Sequence, residues 1–345
     1  MEELAGREID VLKTIIEEYI ATGAPVGSRL VAKKSTLKLS PASMRNVMAD
    51  LTDKGYLAQP HTSAGRIPTP EAFRFYLGSQ LMPHPLPPEL KDRIGQTLSG
   101  AGFDLKDILT EASRLASTMT NQVCMIVAPS QDEARWKEID FVLIKPGLVL
   151  AVLVLEGGIV QNKLIPVGET YTQDDLVKFS NYLNEHFRGR SLSRARMLIH
   201  RELQGAKRQI EALSRRALRL ARSTFDEPYS RDVIVDGATN IFAHAEFAEV
   251  EKMREIFSLL EERSRLLELL DKTIAHEGIK VTFCADVQLD QLEECSLVSS
   301  SYGDFGEHPM GVVGVMGPVR MDYANVLPLV DCIAKTLTDM LKERF

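Results

Sequence analysis

The chain has 345 residues, 44% hydrophobic and 26% charged, which is enough apolar material for two or three domains and a normal balance for a soluble protein. Its net charge of −7 argues against a protein that coats nucleic acid over its whole surface, but leaves room for a local basic site. Four cysteines (Cys124, Cys284, Cys295, Cys332) with no C-x-x-C pair predict free thiols in a reducing, cytoplasmic setting.

The N-terminus, MEELAGREID, has no basic region followed by an apolar core, so no signal peptide is expected. Between it and residue 22, Ile9, Leu12, Ile15, Ile16, Tyr19 and Ile20 recur at steps of three and four and predict one amphipathic helix. Thr22-Gly23 ends that helix and Pro25 prevents its continuation. A short helix follows from about Val26 to Lys34, with Leu30 and Val31 available for burial. Ser40-Pro41 opens a third helix, serine as N-cap and proline at the first helical position, and Gly55 closes it. Tyr56-Leu57-Ala58-Gln59 and Arg66-Ile67-Pro68 can then pair as two short strands around "HTSAG". Thr69-Pro70-Glu71 caps a helix carrying Phe73, Phe75, Tyr76 and Leu77.

Three helices and a hairpin in about 80 residues match the plan of a winged helix-turn-helix, which meets DNA through its third helix and its hairpin. On the third helix Met44, Val47, Met48 and Leu51 share one face and should pack inward. Ala42, Arg45, Asn46 and Ala49 share the other. Arginine suits guanine O6/N7, asparagine suits adenine N6/N7, and the alanines let the helix come close. Residues 29–66 hold seven basic side chains (Arg29, Lys33, Lys34, Lys38, Arg45, Lys54, Arg66) against two acids, Asp50 and Asp53, a basic island on an acidic chain. Capped three-helix patterns also occur in domains that never touch DNA, so pattern and charge leave both readings open.

The stretch "HTSAGRIPTP" (61–70) has no period of its own and is either a surface turn or an arm that lies against something. Gly65, Ser63 and Ala64 would let backbone approach a groove wall or phosphate. Thr62 and Ser63 can donate to phosphate oxygens, and Arg66 can reach a phosphate or a narrow minor groove. His61 is either a phosphate contact or a plain turn residue.

"PHPLPP" (83–88) predicts a stiff extended linker. Helical patterns run from Leu90 to Thr120, and strand-like runs follow at 123–128, 137–144, 148–155 and 159–167. The turns KPG and EGG between them favour antiparallel meander pairing, and they break the longest apolar stretch, 141–160, into pieces too short for the roughly 20 residues of a membrane span. No membrane association is expected. Further strands are predicted at 281–285, 296–301 and 310–315, and a final helix over 323–345.

Between the strand groups, about 170–270, lies a helical, arginine-rich stretch. Ala206, Ile210, Leu213, Ala217 and Leu220 form one stripe, and Val250, Met253, Phe257, Leu260 and Leu267 another. Such stripes suit an intramolecular core or helices that dimerise. Arg215, Arg216, Arg219 and Arg222 read as solvated or interface arginines, because acids are interspersed and no cap or hairpin accompanies them.

Enzyme signatures are missing. "GVVGVMG" (311–317) is neither G-x-G-x-x-G nor a Walker sequence, and it reads as a strand. The seven histidines (61, 84, 186, 200, 244, 276, 308) form no H-E-x-x-H or H-x-x-x-H pair, and no G-x-S-x-G elbow is present. No catalytic residue, cofactor or metal is expected.

The segments "PVGSRLVAKK", "LSPASMRNVMADLTDKGYLAQPHTSAGRIPT" and "GVVGVMGPVRMDY" resemble the HrcA family of heat-inducible transcription repressors, and the resemblance covers the whole chain. Two segments depart from the pattern: "PEAFRFYL" replaces a more usual Asp-Lys-Gly-Tyr opening, and "VTFCADVQ" stands where an Ile-Gly-x-Glu-like turn is usual. The resemblance implies an α+β chain: an N-terminal winged helix-turn-helix, then a GAF-like antiparallel-sheet domain with an inserted helical dimerisation region. The expected limits are 1–80 for the winged helix, 81–89 for the linker, 90–169 with 271–345 for the GAF-like domain and 170–270 for the insert. It also implies a homodimer that binds double-stranded DNA at an inverted-repeat operator upstream of chaperone operons, and a GroE-type chaperonin partner that keeps it active. The expected DNA contacts are Lys33, Lys34, Ser43, Arg45, Asn46, His61, Thr62, Ser63, Gly65 and Arg66. The alternative is a winged-helix regulator whose GAF-like domain holds a small-molecule effector.

Overall fold

A computed structural model describes residues 4–37, 39–61, 64–102, 104–129, 134–204, 212–225, 232–274, 278–287, 292, 294–304 and 309–344. The first helix, α1 (Gly6–Thr22), buries Val11, Leu12, Ile15 and Ile16. Glu8 starts it by accepting the Ala5 amide at 2.7 Å, and Gly23, in the left-handed region at φ 65°, stops it. Helix α2 (Ser28–Lys34) buries Val31, but Leu30, expected to be available for burial, is exposed on its outer side. In this seven-residue helix the inner face is Val31 with Ala32 beside it, and Leu30 falls on the other side.

Helix α3 (Pro41–Asp53) begins as expected, with the Ser43 amide donating to Ser40 Oγ at 3.1 Å, and buries Met44, Val47, Met48 and Leu51. Strands β1 (Leu57–Ala58) and β2 (Ile67–Pro68) pair antiparallel, Leu57 opposite Pro68 and Ala58 opposite Ile67. Thr69 then caps α4 (Pro70–Phe75), which runs into a π-helical turn at Tyr76–Gln80. This is the winged helix-turn-helix read from the sequence.

The proline-rich segment leads into α5 (Pro88–Gly100), and the His84 amide fixes it by donating to the Ala324 carbonyl at 3.1 Å. The next elements are α6 (Leu105–Thr120), β3 (Val123–Val127), β4 (Trp136–Lys145), β5 (Leu148–Leu155) and β6 (Val160–Pro166). Helices α7 (Gln173–Phe187), α8 (Leu192–Gln204) and α9 (Ala212–Phe225) lead to β7 (Val233–Asp236). Then come α10 (Val250–Glu261), α11 (Arg263–Ile274), β8 (Ile279–Phe283), β9 (Cys295–Asp304), β10 (Pro309–Pro318) and α12 (Tyr323–Arg344).

The strands of the C-terminal part sort into two sheets. One is antiparallel, in the order β7-β3-β10-β9-β8, and has α6 and α12 on one face and α10 and α11 on the other. Strand β3 alternates strictly between them: Cys124 and Ile126 join the α12 side, while Val123, Met125 and Val127 join the α10–α11 side. The other sheet is the meander β4-β5-β6, with its own core: Trp136, Phe141, Val149, Leu153, Phe179, Leu183 and Leu218 among others.

Sheet membership therefore departs from the limits of 90–169 and 170–270 expected above. Strands β4–β6 side with α7–α9, while β7, a strand in a stretch expected to be helical, completes the five-stranded sheet, and α10 and α11, expected inside the insert, pack on it. Hairpin chemistry specifies which consecutive strands pair, but not which sheet they join. Asn184 on α7 locks the smaller unit: its amide bonds both the amide and carbonyl of Ile139 and accepts the Trp136 indole N–H at 3.0 Å.

Candidate nucleic-acid interface

Helix α3 presents its polar side to solvent. Ala42, Arg45, Asn46 and Asp50 are exposed, with Ser43 and Ala49 half-buried beside them. Ser43 is not simply free: its amide is the capped one, and its Oγ lies 3.1 Å from Ser40 Oγ. Arg45 and Asn46 thus stand on a rigid helix, backed by four buried side chains on its inner face. Such a surface suits hydrogen bonding to base edges in a major groove.

The hairpin beside α3 is held at its base by a third segment, the turn after α1. Val26 and Arg66 exchange both backbone hydrogen bonds at 2.9 Å. This close approach gives Gly65 a reason other than the one read from the sequence. A Cβ there would sit 2.5 Å from the carbonyl carbon and oxygen of Val26 and 2.9 Å from the Pro25 carbonyl carbon. The missing side chain makes room for the protein's own backbone, whatever the loop does with DNA.

Arg66 is likewise drawn inward. Its Nε donates to Thr52 Oγ1 at 3.1 Å, and Thr52 itself donates to the Met48 carbonyl at 2.8 Å. The arginine, expected to project toward phosphate or minor groove, braces the hairpin against the last turn of α3. His61 is exposed at the loop, and its carbonyl accepts the Ala64 amide at 2.9 Å. Thr62 and Ser63 lie outside the described residues.

The basic island is smaller than the sequence count. Lys34 pairs with Glu18 on α1. Lys54 bonds both carboxylate oxygens of Glu8, at 2.9 and 3.0 Å, tying the end of α3 to the start of α1. The Glu8 carboxyl is held below its usual range by the Ala5 amide first and the Lys54 ammonium second. Lys38 lies outside the described residues. Arg29, Lys33 and Arg45 are exposed on α2 and α3. The structure thus brings Lys33, Ser43, Arg45 and Asn46 onto helices α2 and α3, with His61 and Arg66 on the neighbouring hairpin.

On α9, Arg216 and Arg219 face Glu169, at 3.0 and 3.7 Å, as suits interface or solvated arginines. Among the described residues no group of three His, Cys, Asp or Glu side chains could hold a metal ion, and no helix is long and apolar enough to cross a membrane. The roles of Val26 and Thr52 escaped the sequence reading, because only the fold brings them to Gly65 and Arg66.

The family described as HrcA protein C terminal domain matches residues 106–327. A heat-inducible transcription repressor HrcA from Nitratidesulfovibrio vulgaris (strain DSM 19637 / Miyazaki F) is 51% identical, the alignment covering 100% of this chain and 98% of that one. A repressor of the same name from Geobacter sulfurreducens is 38% identical over 99% of both chains. A solved structure described as that of a hypothetical protein superposes with a TM-score of 0.60 at 23% identity over 99% of both chains, and so shares the fold.

Proposed function

The chain belongs to the HrcA family of heat-inducible transcription repressors, and from that membership we propose that it binds an inverted-repeat operator as a dimer, one α3 helix to each half-site. It is a DNA-binding repressor and not an enzyme. The observation that carries the operator reading is the exposed Arg45–Asn46 pair on α3, set beside a hairpin whose base is pinned to the α1–α2 turn and to α3. Arg45 and Asn46 read bases, while Lys33, Ser43, His61, Thr62 and Ser63 serve the phosphate backbone, and Lys34 joins them by exchanging Glu18 for a phosphate. Arg66 and Gly65 set the hairpin in place.

The dimer contact falls to the 134–225 unit, by way of the outer face of β4-β5-β6. Apolar rows on that face, Val142 opposite Leu150 opposite Leu164 and Val154 opposite Val160, flank a mixed row, Asp140 opposite Val152 opposite Asn162, and Glu138 stands beside Val154. Val142, Val160 and Leu164 are 42%, 58% and 56% exposed, with Ile144 beside them at 51%. A sheet face of this kind is normally covered, and a second copy meets it with the same side chains under two-fold symmetry. This reading moves the proposed contact from the helical region expected at 170–270 to strands expected within the GAF-like domain.

The resemblance also brings the regulated genes and the partner: chaperone operons, and a GroE-type chaperonin that holds the repressor in its DNA-binding form, in the cytoplasm. A mobility-shift and footprint series on inverted repeats upstream of chaperone operons, with and without added chaperonin, tests this reading. Protection of a palindrome by a dimer, strengthened by chaperonin, is the expected outcome. Binding to no inverted repeat, or equal binding to scrambled DNA, would refute it.

A further inference from the structure

Two arginines join the winged helix to the rest of the chain, one from each side. Arg74 on α4 pairs with Asp286 and lies over the Phe283 ring, 5.2 Å from its centroid. Arg320, in the turn between β10 and α12, reaches the other way. Its Nη1 donates to the Ile20 carbonyl at 3.4 Å, while Nε and Nη2 engage both carboxylate oxygens of Glu246, the second at 3.1 Å.

The chemistry of this joint is specific. Ile20 lies in the last turn of α1, where carbonyls lack helical partners and the helix dipole favours a cation. Glu246 sits in the connection between β7 and α10, and a forked guanidinium can hold a carboxylate and a carbonyl at once. Burial alone would raise the Glu246 carboxyl, but the hydrogen bonds from Arg320 bring it below its usual range, so the carboxylate is charged at neutral pH. Gly23 completes the fit: a Cβ there would lie 3.0 Å from the guanidinium carbon, and its φ of 65° is itself one that glycine favours. The helix stop at Thr22-Gly23 and the distant segment "GPVRMDY" thus belong to one contact.

We infer that Arg320 is a positioning residue for operator binding: by clamping the end of α1 to Glu246 it sets the angle at which the winged helix, and with it α3, leaves the five-stranded domain. Helix α1 packs on both α3 and β2, so a tilt of α1 carries the DNA-facing surface with it. One half-site tolerates a change of that angle. Two half-sites about 34–36 Å apart on one duplex do not. The inference rests on the dimeric operator-binding reading above.

The test uses the full chain with Arg320→Gln, Glu246→Gln and the conservative Arg320→Lys. The first readout is affinity for an inverted repeat and for a single half-site duplex. The second, without DNA, is the distance distribution between spin labels at Arg29→Cys and Glu251→Cys, in a Cys332→Ser background diluted with unlabelled chain. Arg320→Gln is expected to lose at least tenfold on the inverted repeat and less than threefold on the half-site, and to broaden the distance distribution. Arg320→Lys should recover only part of the loss. If Arg320→Gln does not fold, Glu246→Gln, which leaves the Ile20 contact in place, carries both measurements. Equal losses on the two DNAs, or wild-type behaviour in both readouts, overturns the inference. If the wild-type chain binds no inverted repeat, the operator reading fails by itself and the label distances alone decide: an unchanged distribution overturns the joint, a broadened one supports it.

Discussion

Arg66 Nε donates to Thr52 Oγ1 at 3.1 Å, so the base of the hairpin and the last turn of α3 move as one body. If this brace is what Arg66 supplies, Thr52→Val should imitate Arg66→Ala. Both remove the Arg66–Thr52 hydrogen bond, on the order of 1 kcal/mol, and Thr52→Val also removes the one Thr52 donates within α3 to the Met48 carbonyl. Both variants should then weaken binding to operator and random DNA alike, by roughly fivefold at that energy. A salt titration separates the roles. An Arg66 that also meets a phosphate gives Arg66→Ala a lower salt slope than wild type, whereas Thr52→Val keeps the wild-type slope in either case.

Gly65 provides the second test. With 2.5 Å between its would-be Cβ and the Val26 carbonyl group, Gly65→Ala forces the hairpin away from the α1–α2 turn. Overpacking of this kind costs about 1–3 kcal/mol. Thermal unfolding should shift down together with DNA affinity. A variant that melts like wild type but fails to bind would return Gly65 to the DNA-facing role read from its sequence context.

The Glu8–Lys54 pair makes stability depend on pH. Glu8 has its folded pKa depressed, so its contribution is full above the unfolded value and is lost as pH falls through the folded one. Glu8→Gln should destabilise the winged helix by about 1–2 kcal/mol at pH 7, less than a fully buried pair because Lys54 is about a quarter exposed. Melting temperature against pH should therefore fall less steeply below about pH 5 in the variant than in wild type, by one carboxylate's worth. Parallel curves would remove Glu8 from the acid response.

The dimer contact proposed for the outer face of β4-β5-β6 can be tested by charge. Leu164→Lys or Val142→Lys places a charge among Val142, Leu150 and Leu164 without touching the Trp136–Leu153 core on the other side. Sedimentation should show monomers at concentrations where wild type is dimeric, with thermal stability of the chain little changed. Dimers that persist would move the contact elsewhere.

How much of this was legible in advance depended on the range of the interaction. The inward face of α3, its Ser40-Pro41 start and the Gly23 stop are local, set by 3.6-residue spacing and capping, and they stand where the sequence placed them. The β4-β5-β6 meander followed from its short turns. The division into two sheets was not legible. Strand β7 joins β3 across roughly a hundred residues of chain, and nothing in "VIVD" distinguishes one sheet edge from another. The site divides the same way. The exposure of Arg45 and Asn46 was legible because exposure on a helix is periodic. The inward turn of Arg66, the packing reason for Gly65 and the reach of Arg320 to Ile20 depend on partners that only folding supplies.

Base reading by α3 is tested most directly by the affinity of Arg45→Ala and Asn46→Ala for an inverted-repeat operator and for random DNA of equal length, at one salt concentration, beside a melting curve. A bidentate contact contributes about 1–3 kcal/mol of discrimination, so each variant should lose roughly tenfold or more on the operator. Asn46→Ala should keep its affinity for random DNA, Arg45→Ala should lose far less there than on the operator, and both should melt like wild type. Lys33→Ala, as control, should weaken both DNAs alike and flatten the salt dependence. Equal losses on operator and random DNA for Arg45→Ala and Asn46→Ala, or none on either, would contradict base reading by α3.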